Sequence, residues 1–142
     1  MHNEAYLLLD KMLGEIGITS YEIKKTELGK PYIEKENVHF SISHTDGLTC
    51  VALADKECGI DCEKIAPRDK IKEMANRYFV GNEIDLMEEC NYSCTEFLKI
   101  WTCKEAIGKR LGYGLMKSLK IDSTLENCST MIENGYIISV NI

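Results

Sequence analysis

The segment GIDCEKI, Gly59 to Ile65, sets two acids one residue apart in what otherwise reads as a buried strand. Successive side chains of an extended chain alternate faces. Cys58, Ile60 and Cys62 therefore share a core-facing side, while Gly59, Asp61 and Glu63 share the other. Same-face neighbours sit ~6 to 7 Å apart at the backbone, near enough for two carboxylates to converge on one hard cation, which prefers oxygen ligands. Without a cation they repel. The plainer reading of any D-x-E is a solvated edge strand carrying acids by chance.

Size and composition bound the choice. With 142 residues, 44% of them apolar, the chain suffices for one compact domain with a real core, but not for two large ones. It contains no membrane-length apolar run, and MHNEAYLLLDKM lacks the pattern of a signal peptide, so the expected setting is cytoplasmic. Seven cysteines, an odd number, argue for small buried hydrophobes over a disulfide framework. The net charge of −6 disfavours general nucleic-acid binding. Charge is unevenly spread. Residues 83 to 96 hold Glu83, Asp85, Glu88, Glu89 and Glu96 with no basic partner in that stretch. Residues 99 to 120 hold Lys99, Lys104, Lys109, Arg110, Lys117 and Lys120 against Glu105 alone, a seat for phosphate or for an acidic partner.

Around the opening segment, Leu9, Met12, Leu13 and Ile16 recur at helical spacing and predict a helix over 4–16 that ends near Gly17. Val38, Phe40 and Ile42 alternate with His39, Ser41 and Ser43, and Asp46-Gly47 turns the chain into LTCVALA, a hairpin. Pro67 is expected in the first turn of a helix carrying Ile71, Met74, Ala75, Tyr78 and Phe79, and Asn82 as the cap of a short helix over 83–90. The strongest helix starts at Thr95, lines up Phe97, Ile100, Trp101, Ile107 and Leu111, and stops at Gly112. Asn134-Gly135 between apolar runs predicts a second hairpin. Helices interspersed with hairpins give an α+β fold.

The long helix supplies candidate chemistry. Glu105 and Lys109 project from one flank, either as an ordinary i,i+4 salt bridge or, with the helix packed over the strand, with Glu105 as a third ligand beside Asp61 and Glu63. Lys104 falls within the apolar stripe, where an unpaired ammonium is costly. It either snorkels outward along its stem or requires an anion, which a phosphate beside a metal would provide. Carboxylates for a cation and lysines for phosphate oxygens suit cleavage of a phosphoric anhydride.

Four motifs in order, GKPYI (29–33), FSISHT (40–45), GIDCEKI (59–65) and FLKIWTCKEAIGKRLGYGL (97–115), resemble the 4′-phosphopantetheinyl transferases of the surfactin-synthetase-activating, two-lobed type. The resemblance implies one domain over 1–142, with one lobe over about 1–56 and a second over about 57–142, pseudo-related and built of antiparallel strands on helices. It implies transfer of 4′-phosphopantetheine from coenzyme A to a serine of an acidic apo acyl or peptidyl carrier protein, releasing adenosine 3′,5′-bisphosphate. Asp61, Glu63 and Glu105 match the family's magnesium ligands, with manganese as the alternative ion. Lys104 and Lys109 match its phosphate-stabilising lysines, Lys109 as acid toward the leaving group, and Glu105 matches the base for the carrier serine, directly or through a metal-bound water. Ser43 and His44 match a phosphate-contacting pair, Lys30 the lysine of the GKP segment, and Gly112 and Gly114 a glycine turn close to the substrate.

Compared with fuller members, both ends read as abbreviated, and Ala5 stands where an arginine is usual. The motif order excludes the short trimeric carrier-protein synthases, and a homodimer would recover buried area. Two other readings fit parts of the sequence. One is a structural zinc site on Cys58, Cys62, Cys90 and Cys94, disfavoured because thiols at 58 and 62 of a strand lie ~13 Å apart. The other is a degenerate homologue that binds nucleotide without transfer, disfavoured because the acids and lysines are all present.

Overall fold

The computed structural model describes residues 2–142, an α+β assembly of helices on antiparallel strands. Helix α1 (His2–Glu15) turns Leu9 and Leu13 into one buried cluster with Ile33, Val38 and Phe40. Strands β1 (Ile23–Lys25) and β2 (Pro31–Ile33) pair antiparallel beside it. The expected hairpin forms from β3 (His39–Thr45) and β4 (Leu48–Ala54), with Gly47 at φ 82° in its turn. Phe40, Ile42, Val51 and Leu53 pack toward α1, while Ser41 and Ser43 are buried on the opposite face.

A second sheet has the order β5-β7-β6. In it, β5 (Gly59–Lys64) pairs with β7 (Tyr136–Asn141), which pairs in turn with β6 (Cys128–Glu133), all antiparallel. Asn134 and Gly135 both adopt positive φ, 50° and 81°, as a tight right-twisted hairpin requires. Strand β5 is not the solvated edge that a bare D-x-E suggests, because Gly59 through Cys62 are all buried. Helix α4 (Cys94–Leu111) covers the acid-bearing face. Contact is close enough that a Cβ on Gly59 would lie 1.8 Å from the Ala106 carbonyl oxygen. A Cβ on Gly108 would meet Ser118 Oγ at the same 1.8 Å, so α5 (Leu115–Ser118) folds back against the helix that precedes it.

Helix α2 (Ile71–Tyr78) begins after Pro67 rather than with it, since Lys70 turns left-handed at φ 64° immediately before the first turn. Helix α3 (Gly81–Glu89) is capped by Glu83, whose carboxylate accepts the Val80 N–H at 3.0 Å. Asn82 is not the cap and donates instead to Asp122 and Thr124. Ser93 caps α4 by accepting the Glu96 N–H, and Gly112 ends it at φ 74°. Along α4, Phe97 stacks between Phe79 at 5.0 Å and Trp101 at 5.8 Å. Leu111, expected on this apolar face, is the last residue of α4 and is 41% exposed. None of the helices among the described residues is long and apolar enough to cross a membrane.

The two sheets meet along β3 and β5, which share no backbone ladder. Side chains fill the gap. Ser41 Oγ accepts the Ile60 N–H at 3.1 Å, and Ser43 Oγ accepts the Cys62 N–H at 3.2 Å. From α4, Lys109 Nζ donates to the Ile60 carbonyl at 3.0 Å and to the Ile42 carbonyl at 3.3 Å. Buried backbone groups that a ladder would pair are thereby satisfied by two hydroxyls and one ammonium.

Gly59→Ala is expected to destabilise the fold by about 3 kcal/mol, since backbone stands where the methyl would go. Gly81→Ala, with open space around its Cβ position, should leave stability nearly unchanged. Urea unfolding midpoints of the two variants check the contrast.

Candidate active site

Three acids approach Lys109 from two elements. Asp61, on β5, is only 7% exposed. Its Oδ1 accepts from Lys109 Nζ at 3.0 Å and from Ser43 Oγ at 3.1 Å, whereas its Oδ2 is buried with no partner. Burial raises its pKa, and Lys109 and Ser43 oppose that rise. Glu63, two residues on, is half-buried and pairs with Arg68 at 3.0 Å. Burial pushes it up too, opposed by Arg68 and reinforced by the charge of Asp61.

Glu105 comes from α4, one turn before Lys109. Its Oε1 is buried without a hydrogen-bond partner. Burial, then the negative charges of Asp61 and Glu63, push its pKa up to about 7, while Lys109 pulls the other way. Asp61, Glu63, Glu105 and Lys109 thus form one electrostatic neighbourhood. Among the described residues, no three acidic, histidine or cysteine side chains close into a metal cage. The donor set nevertheless fits a hard divalent cation, because Asp61 Oδ2 and Glu105 Oε1 are buried oxygens lacking any donor.

A cleft of about 230 Å3 opens beside this group, lined by Gly29, Lys30, Phe40, Ser41, Lys109 and Tyr113 among others. Lys109 belongs to both cleft and acid group. Lys30 reaches across it, bonded to Glu57 at 2.6 Å and to the Arg110 carbonyl at 2.9 Å. Gly112 is a further lining residue, and Gly114 immediately precedes α5. Ser43 is committed to Asp61 and the Cys62 N–H, and His44 is exposed near the end of β3.

Lys104 departs from the expected place beside phosphate. It is 0% exposed, and its anion comes from the chain itself, Glu83, at 2.6 Å. Glu83, also 0% exposed, therefore has the basic partner its own stretch of sequence lacks, as does Glu96, which pairs with Lys99 at 2.8 Å. The four thiols of the alternative zinc reading are scattered: Cys58, Cys90 and Cys94 lie against the carbonyls of Ala52, Met87 and Ala66, and Cys62 lies against Cys50 and Ser43. Four contributors escaped the sequence reading. Ser41 carried a signal, two residues before Ser43 on the same face, and Tyr113 sat between the two flagged glycines. Glu83 and Arg68 carried none, since their partners emerge only on folding.

The folded state holds Glu105 at about 7 against an ordinary 4.5, so it binds the proton more tightly than the unfolded chain does. No penalty exists below 4.5; it grows as pH rises to about 7 and is constant above. In the presence of a chelator, Glu105→Gln should therefore gain thermal stability over wild type progressively across that window. Melting temperatures measured at several pH values check this.

A family model for the 4′-phosphopantetheinyl transferase superfamily matches residues 57–136. The chain is 33% identical over 118 residues to the 4′-phosphopantetheinyl transferase gsp of Aneurinibacillus migulanus, covering 73% of this chain and 48% of that one. It is 35% identical over 103 residues to the 4′-phosphopantetheinyl transferase AcpT of Salmonella typhimurium, covering 70% and 54%, and 38% identical over 100 residues to a Bacillus subtilis 4′-phosphopantetheinyl transferase, covering 68% and 43%. The chain spans about half the length of the curated relatives it matches. The family match takes in β5, α2, α3, α4 and all three site acids, and the chain belongs to the 4′-phosphopantetheinyl transferase superfamily.

Proposed function

We propose that this chain transfers the 4′-phosphopantetheine group of coenzyme A to a serine hydroxyl of an acidic apo carrier protein, with magnesium, or alternatively manganese, as the required ion. The observation that carries the reading is the pair of buried, partnerless carboxylate oxygens, Asp61 Oδ2 and Glu105 Oε1, next to a lysine that also lines a cleft. Asp61, Glu63 and Glu105 would hold the divalent ion, which when bound neutralises charge on the pyrophosphate.

The chain's own groups divide the remaining work. Lys30, bonded to Glu57 and the Arg110 carbonyl, has one N–H left for a phosphate oxygen, and Lys109 would offer one by giving up one of the three bonds that occupy its own. Ser43 and His44, side by side in β3, remain the proposed phosphate contacts on the strand, Ser43 through a hydroxyl that already holds Asp61 in place. Glu105, facing Asp61 and Glu63 from α4, is the proposed base for the proton of the incoming serine, directly or through a water. As the serine oxygen bonds to phosphorus, the anhydride P–O bond breaks and its electron pair leaves on adenosine 3′,5′-bisphosphate. Lys109 stands to protonate or pair with that departing phosphate.

The partner surface lies at the rim. Leu115 and Met116 are 51% and 65% exposed, with exposed Lys117 and Lys120 beside them, a small apolar patch with cationic neighbours suited to an acidic helix that brings its serine to the cleft.

The direct test incubates the protein with coenzyme A, magnesium and a panel of apo carriers, read by mass spectrometry of the carrier. Transfer is expected, chelation should abolish it, and Asp61→Ala and Glu105→Ala should each lower turnover by ~10²-fold or more. Near-normal rates in those variants would remove both acids from the site, and binding of coenzyme A without transfer would make the chain a non-catalytic homologue. Separately, Lys117→Glu with Lys120→Glu should raise KM for the carrier ~10-fold while leaving KM for coenzyme A unchanged, measured by steady-state kinetics.

A further inference from the structure

On the flank of α4 away from Asp61, Lys104 and Glu83 form a closed buried ion pair. Lys104 Nζ donates to Glu83 Oε1 at 2.6 Å and to the Ile121 carbonyl at 2.5 Å, and lies 5.7 Å from the centre of the Phe79 ring. Glu83 Oε1 also accepts the Val80 N–H, and its Oε2 accepts the N–H and hydroxyl of Ser123, the first residue of a 3-10 turn (Ser123–Leu125). Both side chains are 0% exposed. The pair therefore joins the start of α3, the middle of α4 and the segment that follows α5, with no bonding capacity left over on the carboxylate.

Consecutive helical residues point ~100° apart. Lys104 can thus be fixed in the core while Glu105, its neighbour, faces β5. Holding Lys104 fixes the rotation of α4 about its axis. A slip of ~20° would carry a carboxylate ~6 Å from that axis by ~2 Å, enough to part Glu105 and Lys109 from Asp61. Bonding to Ile121 and Ser123 also anchors the chain leaving α5, whose preceding turn supplies Gly112 and Tyr113 to the cleft.

We propose that Glu83 is a positioning residue and that Lys104, its counter-ion, acts through it to set the angle of α4, instead of touching substrate. Insofar as it concerns turnover, this rests on the transfer activity proposed above. A buried pair behaves unlike two independent residues: removing one partner strands a charge, whereas removing both relieves it. A direct phosphate contact by Lys104 would show no such relief.

The test compares wild type, Glu83→Gln, Lys104→Met and the double variant. Trp101, the single tryptophan, sits on α4 three residues before Lys104, so its emission reports the helix orientation without any activity. Each single variant is expected to shift Trp101 emission and to lower kcat ~10-fold or more with KM for coenzyme A within ~3-fold. The double variant, with both charges gone, should return emission and kcat to within ~3-fold of wild type. Unchanged emission in the single variants overturns the proposal, as does a double variant no better than Lys104→Met with KM for coenzyme A raised more than ~10-fold. Should a single variant fail to fold, the double variant alone decides, since a folded double variant with wild-type emission supports the pair and an impaired one refutes it. A wild-type chain without transfer would sink the activity proposed above, while the emission comparison would still decide the role of Glu83.

Discussion

One ammonium holds the seam of this molecule. Lys109 Nζ reaches from α4 to the Ile42 carbonyl on β3, the Ile60 carbonyl on β5 and Asp61 Oδ1, three acceptors from two sheets that share no ladder. Hydrogen bonds from a charged donor contribute ~1.5–3 kcal/mol each, and an unpaired buried carbonyl costs a similar amount. Structure and site are thereby the same object: the group that closes the gap between the hairpin and the second sheet also lines the cleft. Ser41 and Ser43 complete the join, and short hydroxyl side chains suit it because each can accept a strand N–H without pushing the strands apart.

Bringing α4 down onto β5 confines the acids. Gly59 removes the side chain that would keep the helix away, and Asp61 is then sealed beneath α4 while Glu105 faces it. Burial raises the pKa of Asp61, Glu63 and Glu105 alike, the charge of Asp61 raises Glu63 and Glu105 further, and that of Glu63 adds to Glu105. The positive charge of Lys109 is shared among them and leaves two oxygens without donors. Such frustration is costly in a protein core and characteristic of sites whose missing charge arrives with a ligand.

The fold was legible where local chemistry dictates it. Asp46-Gly47 and Asn134-Gly135 announced both hairpins, and Gly112 announced the end of α4, because only certain residues tolerate those backbone angles. Pro67 and Asn82 misled. Each is a competent helix starter, but Lys70 and Glu83 took the roles through a left-handed turn and a reaching carboxylate. The three acids and Lys109 could be picked out by spacing and resemblance, and their electrostatic coupling depends on α4 crossing β5, which periodicity cannot specify. Lys104 stood out correctly as a charge in an apolar stripe. Its partner could not be read from the sequence, because Glu83 lies 21 residues away on a different helix.

The two flanks of α4 separate scaffold from chemistry. On one, Lys104 and Glu83 leave no carboxylate oxygen without a donor, and both side chains are fully buried. On the other, Asp61 and Glu105 each keep an oxygen with no donor, and the lysine between them is 31% exposed at the edge of a cleft. Both flanks bury charge, so burial alone does not distinguish them. What distinguishes them is the carboxylates: a buried ion pair whose carboxylate oxygens all have donors has no site left for a cation, whereas one that leaves oxygens bare lowers its free energy when a cation enters. Because adjacent residues of one helix serve the two flanks, the rigidity of the first is transmitted to the second through a single turn of backbone.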